Sequence, residues 1–216
     1  RHPQGRHHTM REVTDNIAAA LPAASAVFAA RGLDGTRMDD IVEATGIPRP
    51  TLYYHFSSKE EILAWLLERL LRDLSVEIGH ILDRDELARD RLHAVFGAYL
   101  GLFAKHRELC TVLLTELGRI TRIPALADAI WASFHEPVRK LLHAGEIDGS
   151  LRPIDDDVTA SAIFGAVTMV GLHYVVTGRP IDVRLSTLPT LGGEKLRPIG
   201  ARFLELPGER GVLELL

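Results

Sequence analysis

The stretch from Thr36 to Phe56 constrains this chain more than any other part of it. It holds two short helical patterns, one on either side of a glycine. In the first, Met38, Ile41 and Val42 form an apolar stripe at helical spacing. The Thr36 hydroxyl stands where it can cap that helix, and Asp39 three residues on makes a capping-box arrangement with Asp in place of Glu. Gly46 follows Thr45 at the position where a left-handed residue closes a helix. Pro48 then restarts the chain at a first-turn position. In the second pattern, which runs to about Tyr54 or His55, Leu52 and Phe56 are four apart and point inward. Pro50, Thr51, Tyr53 and Tyr54 fall on the other faces. Two short helices joined by a tight glycine-containing turn make a helix-turn-helix.

The flanks extend the helical reading. Ile17, Leu21, Ala24 and Phe28 recur at helical spacing between Thr14 and Arg31, and Gly32 stops that helix. Pro22 lies inside it and costs a regular helix about 3 kcal/mol, so a kink or a split is expected there. Ser57 and Ser58 supply caps, and Glu60 and Glu61 put negative charge at the start of the next helix. That helix carries Ile62, Leu66, Leu70 and Leu74 and links the head to a larger body. The charged run Asp83 to Asp90 reads as a connection. Further helices are expected over Leu92 to Lys105, Leu109 to Leu117, Pro124 to Ala144 and Asp155 to Thr177, separated by Gly118, Gly145 to Gly149, and Gly178 with Pro180. No internal repeat or strand alternation stands out. The expected class is all-α: a leader over 1–13, a helix-turn-helix head over 14–60, a helical body over 61–180 and an irregular tail over 181–216. In that tail, Pro180, Pro189, Gly192-Gly193, Pro198 and Pro207-Gly208 interrupt any long helix.

Composition narrows the class. The 216 residues allow one domain of ordinary size, with at most a smaller one attached. With 46% hydrophobic and 25% charged residues, disorder and coiled-coil composition are excluded. A single Cys rules out a disulfide framework and a multi-cysteine zinc site, and fits a reducing, cytoplasmic setting. The net charge of −4 argues against nonspecific coating of nucleic acid but leaves room for a local basic face. Arg1 to Met10 is polar, basic and His-rich with no apolar core after it, so no signal peptide is expected, and Met10 is a candidate native start. Val158 to Gly178 has no Asp, Glu, Lys or Arg and is long enough to span a bilayer. It carries Thr159, Ser161, Thr168, His173 and Thr177, with acids before it and Arg179 after. A helix buried at a protein–protein or domain contact explains it better than a membrane span.

Ala23 to Leu63 reads AASAVFAARGLDGTRMDDIVEATGIPRPTLYYHFSSKEEIL. It resembles the DNA-binding head of the tetracycline-repressor (TetR) family of transcriptional regulators. The resemblance rests on Ala23-Ala24 to Phe28, Gly32, Gly35-Thr36, Ile41 to Gly46, and above all Thr51-Leu52-Tyr53-Tyr54-His55-Phe56 with Lys59. It covers about forty of the 216 residues. Pro22 and Pro48 depart from the family's usual residues. The resemblance implies a recognition helix at Arg49 to His55. It also implies DNA contacts from Thr36, Arg49, Pro50, Thr51, Tyr53, Tyr54, His55 and Lys59, and Arg37 is a candidate phosphate contact beside them.

Physical chemistry assigns these residues compatible work. Arg49 can donate two bonds to a guanine edge or one to a phosphate. Pro50, Tyr53 and the Thr51 methyl can touch thymine methyls. Tyr54, His55, Thr36, Lys59 and Arg37 can donate to phosphate oxygens. Each also has a plain structural reading: Tyr53 packs between helices, His55 caps or packs, Lys59 is a solvated helix-start charge, and Thr36 caps in either case. Charge does not decide, because residues 1–60 balance Arg1, Arg6, Arg11, Arg31, Arg37, Arg49 and Lys59 against Glu12, Asp15, Asp34, Asp39, Asp40, Glu43 and Glu60. The basic run Arg1 to Arg11 is either a DNA-following arm or an indifferent leader.

In the body, Leu92, Val95, Phe96, Tyr99 and Phe103 form a stripe, and Cys110, Trp131, Phe134, Met169 and His173 lie on other helices. The resemblance implies a mostly apolar effector pocket here, lined by Phe96, Tyr99, Phe103, Cys110, Trp131, Phe134, Met169 and His173, although any helical bundle needs such residues as core. His106, His135 and His173 lack the tight spacing of metal ligands, so no metal or cofactor is expected. Reading a palindrome takes two recognition helices about 34 Å apart, hence a homodimer. Its expected interface is Val158 to Thr177, where Ala160, Ala162, Gly165, Ala166 and Gly171 permit close approach. The expected function is a ligand-responsive repressor that binds a double-stranded operator and is released by a small, mostly apolar molecule, with no membrane partner. The alternatives are an all-helical enzyme, for which no catalytic group stands out, and a protein-binding adaptor that kept the head.

Overall fold

A computed structural model describes residues 13–177. The leader up to residue 12 and the tail over 181–216, with the arm and interruptions expected there, lie outside the described residues. Every regular element among the described residues is helical.

The head is built from α1 (Asp15–Ala20), α2 (Ala24–Gly35), α3 (Met38–Thr45) and α4 (Arg49–His55). Pro22 splits the first expected helix. The chain passes through a 3-10 turn at Leu21–Ala23, where the missing amide has no helical bond to break. Gly32 adopts φ 66° and interrupts α2 where the sequence places its stop. Gly46, at φ 67°, ends α3 in the left-handed form, its N–H on the Val42 carbonyl.

The start of α3 differs from expectation by one residue. Arg37, not Thr36, is the N-cap, and the closing carboxylate is Asp40, which accepts from the Arg37 N–H at 2.9 Å. Thr36 instead donates its hydroxyl to the Gly32 carbonyl at 2.7 Å, tying down the chain that the glycine break has freed. Pro48 is the N-cap of α4, and Pro50 takes the first-turn place. Leu21, Ala24, Phe28, Ile41, Leu52 and Phe56 close the core of the head.

Ser58 caps α5 (Lys59–Leu82) by accepting from the Glu61 N–H. Ile62, Leu63, Leu66, Leu67, Leu70, Leu71, Leu74 and Ile78 are buried along its length, so one helix serves the cores of head and body alike. α6 (Ala88–Lys105), α7 (Arg107–Thr115) and α8 (Leu117–Ile120) follow. The helix expected over Pro124 to Ala144 becomes α9 (Pro124–Ile130), a π-helical turn at Trp131–His135 and α10 (Glu136–Asp148). Pro137 explains the widening. It offers no N–H to the Ser133 carbonyl four residues back, and its ring would clash there. The Tyr99 hydroxyl lies 3.0 Å from both the Ser133 and Phe134 carbonyls and donates there from across the core.

α11 (Asp156–Thr177) packs on α6, α7 and α10. Ala160 and Gly171 are buried against the protomer itself, whereas Val158, Met169 and Val176 are exposed. The helix expected to be buried is therefore covered on one side only.

Candidate nucleic-acid interface and body cavity

Leu52, His55 and Phe56 anchor α4 to the head core. Its opposite side presents Arg49, Pro50, Tyr53 and Tyr54, with Tyr53 46% and Tyr54 57% exposed and Thr51 half-buried at the edge. Arg37, at the N-terminus of α3, is exposed near the start of the same helix pair. The structure thus places Arg37, Arg49, Pro50, Tyr53 and Tyr54 where a duplex can reach them.

Three other expected DNA contacts are placed differently. Thr36 is 1% exposed and its hydroxyl is committed to Gly32, so it is a brace within the head. His55 is 6% exposed and lies edge-on to Tyr54, beside Phe56, with Nδ1 buried and without a hydrogen-bond partner. It faces inward because it shares the buried side of a short helix with Leu52. The Lys59 ammonium donates to the Asp34 carbonyl at 3.1 Å and the Thr36 carbonyl at 2.8 Å, stapling α5 to the end of α2.

Asp39, a cap candidate by its place in the sequence, does other work. In the structure its carboxylate lies 2.6 Å from Arg49 Nη1, and the Arg49 guanidinium sits 5.5 Å over the Tyr53 ring. The signal available in the sequence was redundancy: two adjacent acids open α3, and one suffices for the cap.

A small apolar cavity of about 20 Å³ lies in the body, a space of roughly one water. Phe103, Leu113, Leu117, Ile130, Phe134 and Phe164 are among its walls. Of the eight expected lining residues, only Phe103 and Phe134 reach it. Phe96 and Tyr99 are buried in the aromatic cluster beside Phe134. Cys110 is fully buried against the Leu102 carbonyl, and burial pushes its thiol up to about 12. Trp131 is 54% exposed and stacks on His135 at 3.7 Å, outside the cavity. Met169 is 61% exposed, and His173 is exposed as well. The sequence could not show which side of α11 looks inward. Leu113, Leu117 and Phe164 also line it, and ordinary core spacing does not distinguish a cavity wall.

The cavity wall is tied to the head. Beyond Leu113 and Leu117, Arg119 forks onto Asp34 at 2.9 and 3.0 Å, and Glu116 accepts from the Leu33 N–H at 3.5 Å. The Arg119 guanidinium holds the Asp34 carboxyl below the usual carboxylate range.

Comparisons with known proteins agree with this two-part layout. Residues 20–66 match the bacterial regulatory proteins of the tetR family, and residues 85–180 match a tetracyclin repressor-like C-terminal domain. The HTH-type transcriptional repressor KstR2 of Rhodococcus jostii is 32% identical over 167 residues, covering 76% of this chain and 81% of its own. The solved structure of the ketosteroid transcriptional regulator KstR2 of Mycobacterium tuberculosis superposes with a TM-score of 0.63 at 26% identity, over 83% of this chain and 88% of the other. FadR of Bacillus subtilis, solved with stearoyl-CoA, shares the fold, with a TM-score of 0.66 at 20% identity over 77% and 90% of the two chains.

Proposed function

The chain belongs to the TetR family of bacterial transcriptional regulators, and from that premise we propose that it is a homodimeric repressor that holds a palindromic operator through α4. The repressor lets go when a small, mostly apolar molecule enters the body. The observation that carries it is the outward ridge of Arg49, Pro50, Tyr53 and Tyr54, fixed from behind by Leu52, His55 and Phe56. A donor fork beside flat and apolar side chains suits base edges and thymine methyls in a major groove. The head over 14–60 reads DNA, the body over 61–180 senses, and the protein acts in the cytoplasm with no catalytic step.

Dimerisation has its own support. Val158, Gly165, Met169 and Val176 are exposed on α11 at intervals of seven, four and seven, the repeat of a seam between two helices. A second protomer laid along this seam would supply the other recognition helix. Small residues at Gly165 and Ala166 leave room for its backbone.

The apolar walls of the cavity favour a ligand with a hydrocarbon portion, a class to which both a ketosteroid and a long-chain acyl thioester belong. At about 20 Å³ the cavity must open to admit either. Its α7–α8 wall carries the grip of Arg119 on Asp34, so opening would disturb the head as well as the N-terminal half of α5. A ligand that fits only the opened body would shift the equilibrium toward heads that no longer match successive grooves.

The test is selection of duplexes from a random pool by the purified protein, followed by titration of the selected DNA at several salt concentrations. A palindromic site bound at least a hundredfold more tightly than random duplex is expected, with Arg49→Ala and Tyr53→Ala losing that preference while circular dichroism stays unchanged. No preference at any salt concentration, or a strictly monomeric protein, overturns the reading.

A further inference from the structure

The two acids that open α3 do different work. Asp40 is spent locally: it accepts from the Arg37 N–H and pairs with Arg31 at 2.6 Å. Asp39 has no part in the cap. Its carboxylate reaches across ten residues of chain to Arg49, at the first turn of α4. Arg49 is thereby held from two sides, by Asp39 on one helix and by the Tyr53 ring one turn along its own.

Stability does not explain such a pair. Both side chains are more than half exposed, and exposed ion pairs contribute little. A carboxylate on the side that meets DNA also repels phosphate, which a protein that merely needed affinity would avoid. Restriction of Arg49 accounts for both facts. A free arginine beside a duplex swings to the nearest phosphate and carries no sequence information. With one Nη1 hydrogen bond committed to Asp39 and one face over Tyr53, the guanidinium keeps its remaining N–H edge in a fixed direction. A paired donor edge of this kind matches guanine O6 and N7.

Resting on the reading that α4 enters the groove, we propose that Asp39 is a positioning residue that turns Arg49 from a phosphate anchor into a reader of one guanine in each half-site. It contributes specificity at the expense of nonspecific affinity.

The test uses the full chain and its selected operator, with every base pair of one half-site substituted in turn. Wild type, Asp39→Asn, Asp39→Glu, Arg49→Ala and the double variant Asp39→Asn with Arg49→Ala are compared at several salt concentrations. Arg49→Ala should flatten the preference at one guanine by about tenfold or more. Asp39→Asn should flatten the same position, bind random duplex more tightly, and steepen the salt dependence by about one unit per half-site as the freed guanidinium takes a phosphate. The double variant should be no flatter than Arg49→Ala alone, and Asp39→Glu should restore the preference. If Arg49→Ala loses the guanine but Asp39→Asn keeps it, or if Asp39→Asn weakens all sequences equally, the assignment falls and the α4 reading survives. If Arg49→Ala matches wild type on every duplex, both fall.

Discussion

Gly171 offers the sharpest test of the packing between α11 and the cavity. A Cβ added there would sit 2.5 Å from Phe103 Cζ and 2.6 Å from Cε1. Ordinary carbon–carbon contact is about 3.5–4.0 Å, so the ring must retreat by roughly 1 Å or more. Phe103 is 3% exposed and forms part of the cavity wall, so its retreat consumes the space where the effector is proposed to enter. Overpacking of this kind costs about 1–3 kcal/mol. Gly171→Ala also gains about 1 kcal/mol of helix propensity, so the net loss is about 0–2 kcal/mol. The gain can be measured separately. Gly97 lies inside α6, where an added Cβ meets nothing within 4 Å, and Gly97→Ala should show the propensity gain alone. Calorimetry of both variants at one protein concentration should separate them by about 1–3 kcal/mol. At about 2–4 °C per kcal/mol for a chain of this size, that is roughly 2–12 °C in Tm. Shifts of equal size and sign in the two variants would refute the packing argument.

Tyr99→Phe removes the hydroxyl that serves the Ser133 and Phe134 carbonyls beside Pro137; a loss of about 1–3 kcal/mol is expected from chemical denaturation, with helix content retained. Cys110, buried and with its thiol pushed up to about 12, should resist iodoacetamide at pH 8 and react fully only in denaturant. Asp34→Ala should speed amide exchange at Leu33, and Arg119→Ala should speed it at least as much, because Arg119 also lies 3.7 Å from the Glu116 carboxylate that accepts from that amide; the double variant should exceed Arg119→Ala by nothing, since that change already breaks the fork. Asp34, Asp40, Glu136 and Asp148 are held below the usual carboxylate range by Arg119, the Arg37 N–H, Arg139 and Ser150 respectively. Because their folded pKa values lie below the unfolded ones, their stabilisation is full above about pH 5 and is lost as pH falls through about 4 and below. Burial holds His106 below the usual imidazole range, so the unfolded chain takes up its proton more readily as pH falls from 7 to 5. Tm should therefore fall slightly between pH 7 and 5 and more steeply below, and a Tm that stays level down to pH 3 would contradict this.

Near-neighbour chemistry made much of the protein legible before any coordinates. Gly32 breaks α2 and Gly46 ends α3 because left-handed backbone costs glycine no Cβ clash, and Ser58 begins a helix because its oxygen can accept an early amide. Pro22 had to break its helix whatever surrounded it. The spacing of Leu52 and Phe56 was enough to turn Pro50, Tyr53 and Tyr54 outward, while Thr51, expected with them, is half-buried. Tertiary packing decided what lies on the far side of each helix, and that depends on residues distant in the chain. Thr36 and His55 are polar, yet they are buried: Thr36 is tied to the Gly32 carbonyl with Lys59 of α5 on its own carbonyl, and His55 shares the inner side of α4 with Leu52. Trp131 and Met169 are apolar, yet they face outward because the space inside is already filled by Tyr99, Phe134 and Phe103. The pairing of Asp39 with Arg49 and of Asp34 with Arg119 arises only when separate helices meet. Periodicity and caps act over four or five residues and can be read from the sequence. A cavity wall or a cross-helix ion pair depends on how whole helices settle against one another, which short-range pattern does not encode.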